Sequence, residues 1–213
     1  MKDQPFVRVE DEQGGGTVAG VRYYGFPVRS HRVVFVLDVS RSMGWNDRLD
    51  TAKDELEKTI KELPAATMFS IVAYADKIYA WKDRLTPAKP ANVRNALNWI
   101  RARKAMERDW HRFGDHGGTN SHGALVRAFQ FEDVDTIFFL TDGHPTTGQI
   151  VDPELILAHV RRKNQYLDVR IHGIALTRGE PPAAFAGREN RDTATAFMER
   201  LADENNGEFI EIK

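Results

Sequence analysis

The stretch Val33-Val-Phe-Val-Leu-Asp38-Val-Ser40-Arg-Ser42-Met43 decides how the rest of the chain is read. Its β-branched and aromatic start is long enough for a buried strand, and its end turns abruptly polar. If the backbone stays extended, Asp38, Ser40 and Ser42 project to one side, because alternate residues of a strand share a face. A carboxylate and two hydroxyls at the mouth of a central strand suit a hard divalent cation such as magnesium, which prefers oxygen donors.

Working outward, two later segments can complete such a shell. One is the loop Gly117-Gly118-Thr119-Asn120, and the other is Thr141-Asp142-Gly143. The second also follows an apolar strand, Thr136-Ile-Phe-Phe-Leu140, so it repeats the arrangement of an acid at a strand end.

Asp38-x-Ser40-x-Ser42, then Gly117-Gly118-Thr119-Asn120, then a strand ending Thr141-Asp142-Gly143 together resemble the metal-ion-dependent adhesion site (MIDAS) of von Willebrand factor type A (vWA) domains. The likeness in the order of strands and helices runs from Arg32 to Ile212. It implies a doubly wound α/β fold with a mostly parallel central sheet, helices on both faces and one antiparallel edge strand. It also implies that the strands ending in Asp38 and Asp142 are neighbours. The implied metal ligands are Asp38, Ser40, Ser42, Thr119 and Asp142. In the family pattern the serines bind directly, the threonine directly or through water, and the aspartates directly or through ordered water. One position is left for a glutamate or aspartate of a protein partner. The implied ion is Mg2+, with Mn2+ or Ca2+ as alternatives. Where the family usually has glycine between the two serines, this chain has Arg41, which removes no ligand but bears on which anion approaches. The expected function is a non-catalytic adhesion or scaffolding module of a larger protein. Tyr24-Gly-Phe-Pro-Val28 resembles bacterial proteins that carry this domain at the end of a longer chain.

Composition agrees with a single globular domain: 213 residues, 41% of them hydrophobic, can bury a sizeable core. A net charge of −1 from 30 basic and 31 acidic residues gives no global attraction to nucleic acid or an anionic membrane. The absence of cysteine excludes disulfides and thiolate metal sites. No apolar run approaches the roughly 20 residues that span a bilayer. Met1 to Glu10 contains no apolar signal-peptide core, so an intracellular location is the default expectation, subject to whatever a longer parent chain carries.

Residues 1–30 read as an N-terminal flap or linker, with strand-like runs at Phe6–Val9 and Thr17–Tyr24 around Gly14-Gly15-Gly16, and residues 31–213 as the vWA domain. After the first strand, Asn46 and Asp47 offer N-caps to a helix with Leu49, Ala52, Leu56, Ile60 and Leu63 on one face. Its other face, Asp50, Lys53, Asp54, Glu57, Lys58 and Lys61, reads as solvated, and Pro64 ends it. Met68–Tyr74 reads as a strand and Asp76–Trp81 as its hairpin partner at the sheet edge. Helices follow at 92–107 and 121–131, then one opened by Asp152-Pro153 with Leu155, Ile156, His159 and Val160 behind it. A strand at 169–176, a helix at 193–204 and a strand at 208–212 complete the alternation, which implies a largely parallel sheet.

Several features compete for a functional reading. His111, His116, His122 and His144 fall near the expected rim and, with Asp109 and Asp115, could hold a softer metal such as zinc. They lack a metal-ligand spacing, so they read as exposed loop histidines. Arg94, Arg101, Arg103, Lys104, Arg108 and Arg112, interleaved with Trp99 and Trp110, read as the charged face of an amphipathic helix rather than a nucleic-acid contact. Gly118-Thr-Asn-Ser-His-Gly123 is one residue too long for a nucleophile elbow, and neither a Walker A nor a dinucleotide fingerprint occurs. The alternative function is a magnesium-dependent phosphate-ester hydrolase, but Ser40 stands where a second acid would be wanted after Asp38. Loops 43–48, 109–120 and 143–149 are the expected partner contacts. Substitution of Asp142 is expected to cost metal affinity more than stability.

Overall fold

A computed structural model describes residues 20–105, 118–180 and 191–213. The run Val33–Leu37 forms the centre of strand β3 (Arg32–Asp38), buried at every position after its first. Such continuous burial is what a parallel strand covered on both faces requires. Val33, Phe35 and Leu37 face one apolar layer and Val34 and Val36 the other.

Ahead of β3, the two-residue strands β1 (Arg22–Tyr23) and β2 (Phe26–Pro27) pair as a hairpin. Its Tyr23 ring packs edge-on against Phe35 and Phe138, which ties this part of the N-terminal segment to the core. Phe6–Val9 lies outside the described residues.

After β3 come helix α1 (Arg48–Glu62) and strand β4 (Met68–Tyr74), then β5 (Ile78–Ala80), β6 (Thr86–Pro87) and helix α2 (Pro90–Arg101). Helix α3 (Ser121–Ala128), strand β7 (Thr136–Thr141), helix α4 (Pro153–Asn164), strand β8 (Arg170–Leu176), helix α5 (Arg191–Asp203) and strand β9 (Phe209–Ile212) complete the chain. The main sheet has the order β5-β4-β3-β7-β8-β9, with β6 on β4. Pairings from β4 through β9 along that path are parallel, β5 is the antiparallel edge strand, and β6 adds a second short antiparallel pair. This is the doubly wound, mostly parallel fold expected.

The two faces are covered by different helices. Leu49, Ala52, Leu56 and Ile60 of α1, with Leu97 and Ile100 of α2, join the layer of Phe35, Phe69 and Phe138. Leu125 of α3, Ile156 and Val160 of α4, and Phe197 and Met198 of α5 join that of Val34, Val36 and Phe139. The connection after β3 therefore leaves toward one face and that after β7 toward the other. Because β3 and β7 are adjacent, their carboxyl ends form the switch point at which open α/β sheets take ligands.

Local departures from the sequence reading have physical causes. Asp47 occupies the N-cap position of α1, but it and Asn46 are left-handed (φ 56° and 53°) and the Asp47 side chain makes no cap bond. Glu57 is not on a solvated face: Arg101 Nε and Nη2 hold its carboxylate at 2.8 and 2.6 Å and keep it ionised below the usual range. Helix α2 runs Pro90–Arg101 rather than 92–107, stopping before Arg103 and Lys104. Arg103 lies over the Trp99 ring, 4.6 Å from its centroid. Helix α3 ends at Ala128, not 131. Asp152 caps α4 as expected, accepting from the amides of Glu154 and Leu155, but Leu155 itself is exposed. No described helix is long and apolar enough to cross a membrane.

Candidate functional site

Strand β3 ends by presenting Asp38 inward. The carboxylate is fully buried; Oδ1 accepts from the Ser40 amide (2.7 Å) and Oδ2 from Thr141 Oγ1 of β7 (2.5 Å). The chain then tightens into a single 3-10 turn, Arg41–Gly44. That turn brings Ser40 Oγ and Ser42 Oγ to 3.3 Å of one another. Ser42 Oγ donates in turn to Asp142 Oδ1, 2.8 Å away and a hundred residues on. The chain Asp38–Ser40–Ser42–Asp142 is thus continuous across the ends of two neighbouring parallel strands.

Thr119 reaches the same rim over the end of β4. The amide of Asn120 donates to Ala75 O (3.0 Å), while the Tyr74 carbonyl just before accepts from Val39 N (2.8 Å). The Thr119 backbone is held from both sides, its amide on Thr146 Oγ1 (2.8 Å) and its carbonyl on Thr146 N (3.0 Å). Gly118 donates to Asp76 Oδ1 (2.8 Å) and leaves no room for a side chain: a Cβ there would lie 2.1 Å from Thr147 Cγ2. Gly148, at φ +109°, likewise lets Asn120 lie where its Cβ would be. Gly118 and Gly148 therefore permit the close approach of two loops over the sheet.

The electrostatics of the site are dominated by two buried acids. Loss of water and the neighbouring Asp142 charge push Asp38 up to about 7, against the opposing hydrogen bonds from Thr141 and Ser40. Asp142 has a partner that the sequence reading missed. Arg48, at the first position of α1, is wholly buried and places Nη1 2.8 Å from Asp142 Oδ2. Its Nε donates to Arg178 O (2.9 Å) and its Nη2 to Gly179 O (3.3 Å). A cation at a helix N-terminus opposes the helix dipole, so this arginine needs the acid it holds. One signal was available: Arg48 stands a single turn before Ala52 and beside Leu49 on the buried stripe, where a charge must find a partner.

One of the four histidines, His122, is placed differently from expectation, while His144 lies half-buried on its loop. His122 is not an exposed loop residue but a buried member of α3, with Nε2 2.6 Å from Nδ1 of His159 on α4. Burial and His159 lower its basicity. His111, His116, Asp109 and Asp115, with Arg108, Trp110, Arg112 and Gly117, lie outside the described residues. Among the described residues no group of three His, Cys, Asp or Glu side chains could hold a metal. The hydroxyl-rich set of Ser40, Ser42 and Thr119 is of a different kind.

A doubly wound sheet with an acid- and hydroxyl-lined crevice at its switch point defines the class of protein. The sequence pattern of the von Willebrand factor type A domain matches residues 33–144, over half the chain, and the chain belongs to that family. All five expected ligand positions fall inside the matched stretch. Among curated relatives, von Willebrand factor A domain-containing protein 3A of Homo sapiens is 27% identical over 190 residues, covering 88% of this chain and 14% of its own. Inter-alpha-trypsin inhibitor heavy chain H1 of Bos taurus is 29% identical over 192 residues, covering 84% and 18%. The chain thus spans less than a fifth of either relative. Among solved structures, a von Willebrand factor type A protein from Catenulispora acidiphila superposes with a TM-score of 0.66 at 18% identity, covering 88% of this chain and 40% of that one. Proximal thread matrix protein 1 from the mussel byssus, in a form with a zinc-occupied MIDAS motif, does so at 0.56 and 12% identity, covering 86% and 44%.

Proposed function

We propose that Asp38, Ser40, Ser42, Thr119 and Asp142 form a metal-ion-dependent adhesion site, and that the domain uses the bound ion to take a glutamate or aspartate of a protein partner. The observation that carries this reading is the Ser42–Asp142 contact, which joins the two strand-end motifs into one oxygen-lined crevice. The residues fit a cation on two further grounds. Burial, and to a lesser degree the neighbouring Asp142, push Asp38 up to about 7, and a divalent ion beside it would favour the ionised carboxylate. The donor set itself is the second: Ser40 Oγ, Ser42 Oγ and Asp142 Oδ1 follow one another at 3.3 and 2.8 Å, all hard oxygens.

Magnesium is the preferred ion because the donors are all hard oxygens, three of them neutral hydroxyls. With only two carboxylates, the ion keeps enough positive charge to attract a third from outside. Ser42, partly exposed at the mouth, faces that approach, and Arg41 beside it adds a cation to the rim. The contributions of the chain are to hold the donors, to bury Asp38, and to supply selectivity through the 43–48 and 143–149 loops.

Binding is favoured over phosphate-ester hydrolysis because both oxygens of Asp38 are already occupied, by the Ser40 amide and Thr141. An acid so engaged is oriented as a ligand and support, not presented as a nucleophile. The test is calorimetric titration with Mg2+, Mn2+ and Zn2+ of the native protein and of Ser42→Ala. One ion per chain, with affinity reduced in the variant, is the expected result. No divalent-ion binding, or binding indifferent to Ser42, would overturn it.

A further inference from the structure

We infer that Arg48 is a resident counter-ion of the site, which supports its fold when no metal is bound and holds metal affinity in a weak, reversible range. This rests on the metal-site reading above. Arg48 and Asp142 have no exposed side-chain surface, and their 2.8 Å contact leaves Asp142 with both oxygens engaged, one by the guanidinium and one by Ser42. An acid with its charge already neutralised attracts a divalent ion less than a bare one does.

The guanidinium is fixed by more than the acid. Its other nitrogens are hydrogen-bonded to the carbonyls of Arg178 and Gly179, and the Trp45 ring lies 5.9 Å from its centre. Asn46 Nδ2 holds the next carbonyl, Glu180 O, at 2.8 Å. Arg48 is therefore held toward Asp142 by backbone carbonyls as well as by the acid. Arginine suits this post because its planar fork stays charged when buried and serves several acceptors at once.

Two roles must be separated: neutralising Asp142, and stapling the 178–180 backbone. Arg48→Met keeps much of the aliphatic volume but removes the charge and the donors. Arg48→Met combined with Asp142→Asn removes both charges. Thermal unfolding in chelator and in saturating Mg2+, with Mg2+ titration of each folded protein, distinguishes the roles.

The native protein should gain in midpoint on going from chelator to saturating Mg2+, but by less than Arg48→Met does. Arg48→Met should unfold at clearly lower temperature in chelator, recover most of that loss in Mg2+, and bind Mg2+ about tenfold or more tightly. The double variant should regain stability in chelator relative to Arg48→Met, because no buried charge is left unpaired. If Arg48→Met loses as much stability in Mg2+ as in chelator with unchanged Mg2+ affinity, or if the double variant is no more stable than Arg48→Met, the arginine is a backbone staple and the inference falls. Should Arg48→Met fail to fold in chelator, the double variant still decides the question. Absence of Mg2+ binding by both the native protein and Arg48→Met would defeat the metal-site reading, while the stability of the double variant would still report on the counter-ion role.

Discussion

Ser42 Oγ donates to Asp142 Oδ1 across 2.8 Å, although the two residues are a hundred positions apart and leave the sheet toward opposite faces. That bond exists because β3 and β7 are parallel neighbours in register from Val33–Thr136 to Leu37–Leu140. Ser42→Ala should therefore weaken Mg2+ binding at least tenfold while changing stability by only about 1 kcal/mol, since the hydroxyl is partly exposed. Calorimetry and urea denaturation measure the two effects separately.

Asp142→Ala should behave differently. On sequence grounds the substitution costs metal affinity more than stability, but the buried pair with Arg48 adds a large stability cost. Removing one partner of a buried ion pair is destabilising by about 3–5 kcal/mol. Asp142→Asn, which keeps an acceptor for Arg48, should lose less. Chemical denaturation in chelator ranks the three proteins, and equal stability of Asp142→Ala and native protein would contradict this account.

Gly118→Ala should disturb the Thr119 loop without unfolding the sheet. The added Cβ meets Thr147 Cγ2 at 2.1 Å and Asp76 Oδ1 at 2.6 Å, so the loop or these neighbours have to shift. We expect about 1–3 kcal/mol of lost stability and weaker metal binding. Thr147→Ala introduced together with it should recover part of both, as read by thermal unfolding and Mg2+ titration.

His172 makes stability depend on pH. Its ring stacks against Phe26 and Phe138 and its Nδ1 accepts from the Glu208 amide, an arrangement that needs the neutral form. Burial, with a smaller effect of Arg170, lowers it to about 4 from 6.5. The unfolded chain thus takes up a proton first as pH falls. This contribution to stability is complete above about pH 6.5 and is lost progressively toward pH 4. It amounts to about 2–3 kcal/mol. Urea midpoints measured between pH 4 and 7 should fall on acidification, and His172→Gln should flatten that fall.

Partner recognition gives a further expectation. Binding to an acidic protein ligand should be lost on chelation, on Ser42→Ala, and on replacing the single partner glutamate or aspartate by its amide. A partner that binds equally well in excess chelator would move the interaction face away from the crevice. Surface-immobilised binding assays with and without Mg2+ decide this.

Much of this architecture was legible in the chain itself. The apolar runs before Asp38 and Asp142 read as buried strands from their shortness and their polar flanks, and the stripe Leu49-Ala52-Leu56-Ile60 carries the period of a helix face. The three site motifs could be recognised because they occur together and in order. What needed the third dimension is everything that depends on which elements become neighbours. The burial of Arg48 against Asp142, the pairing of Glu57 with Arg101, and the contact of His122 with His159 join residues 94, 44 and 37 positions apart. A charged or polar residue on a helix looks solvated until its neighbour across the fold is known. Sequence determined where donors and apolar faces lie along the chain, because those follow from local periodicity and side-chain chemistry. Tertiary structure decided which charges are compensated, because desolvation and Coulomb energy depend on distances that only packing sets.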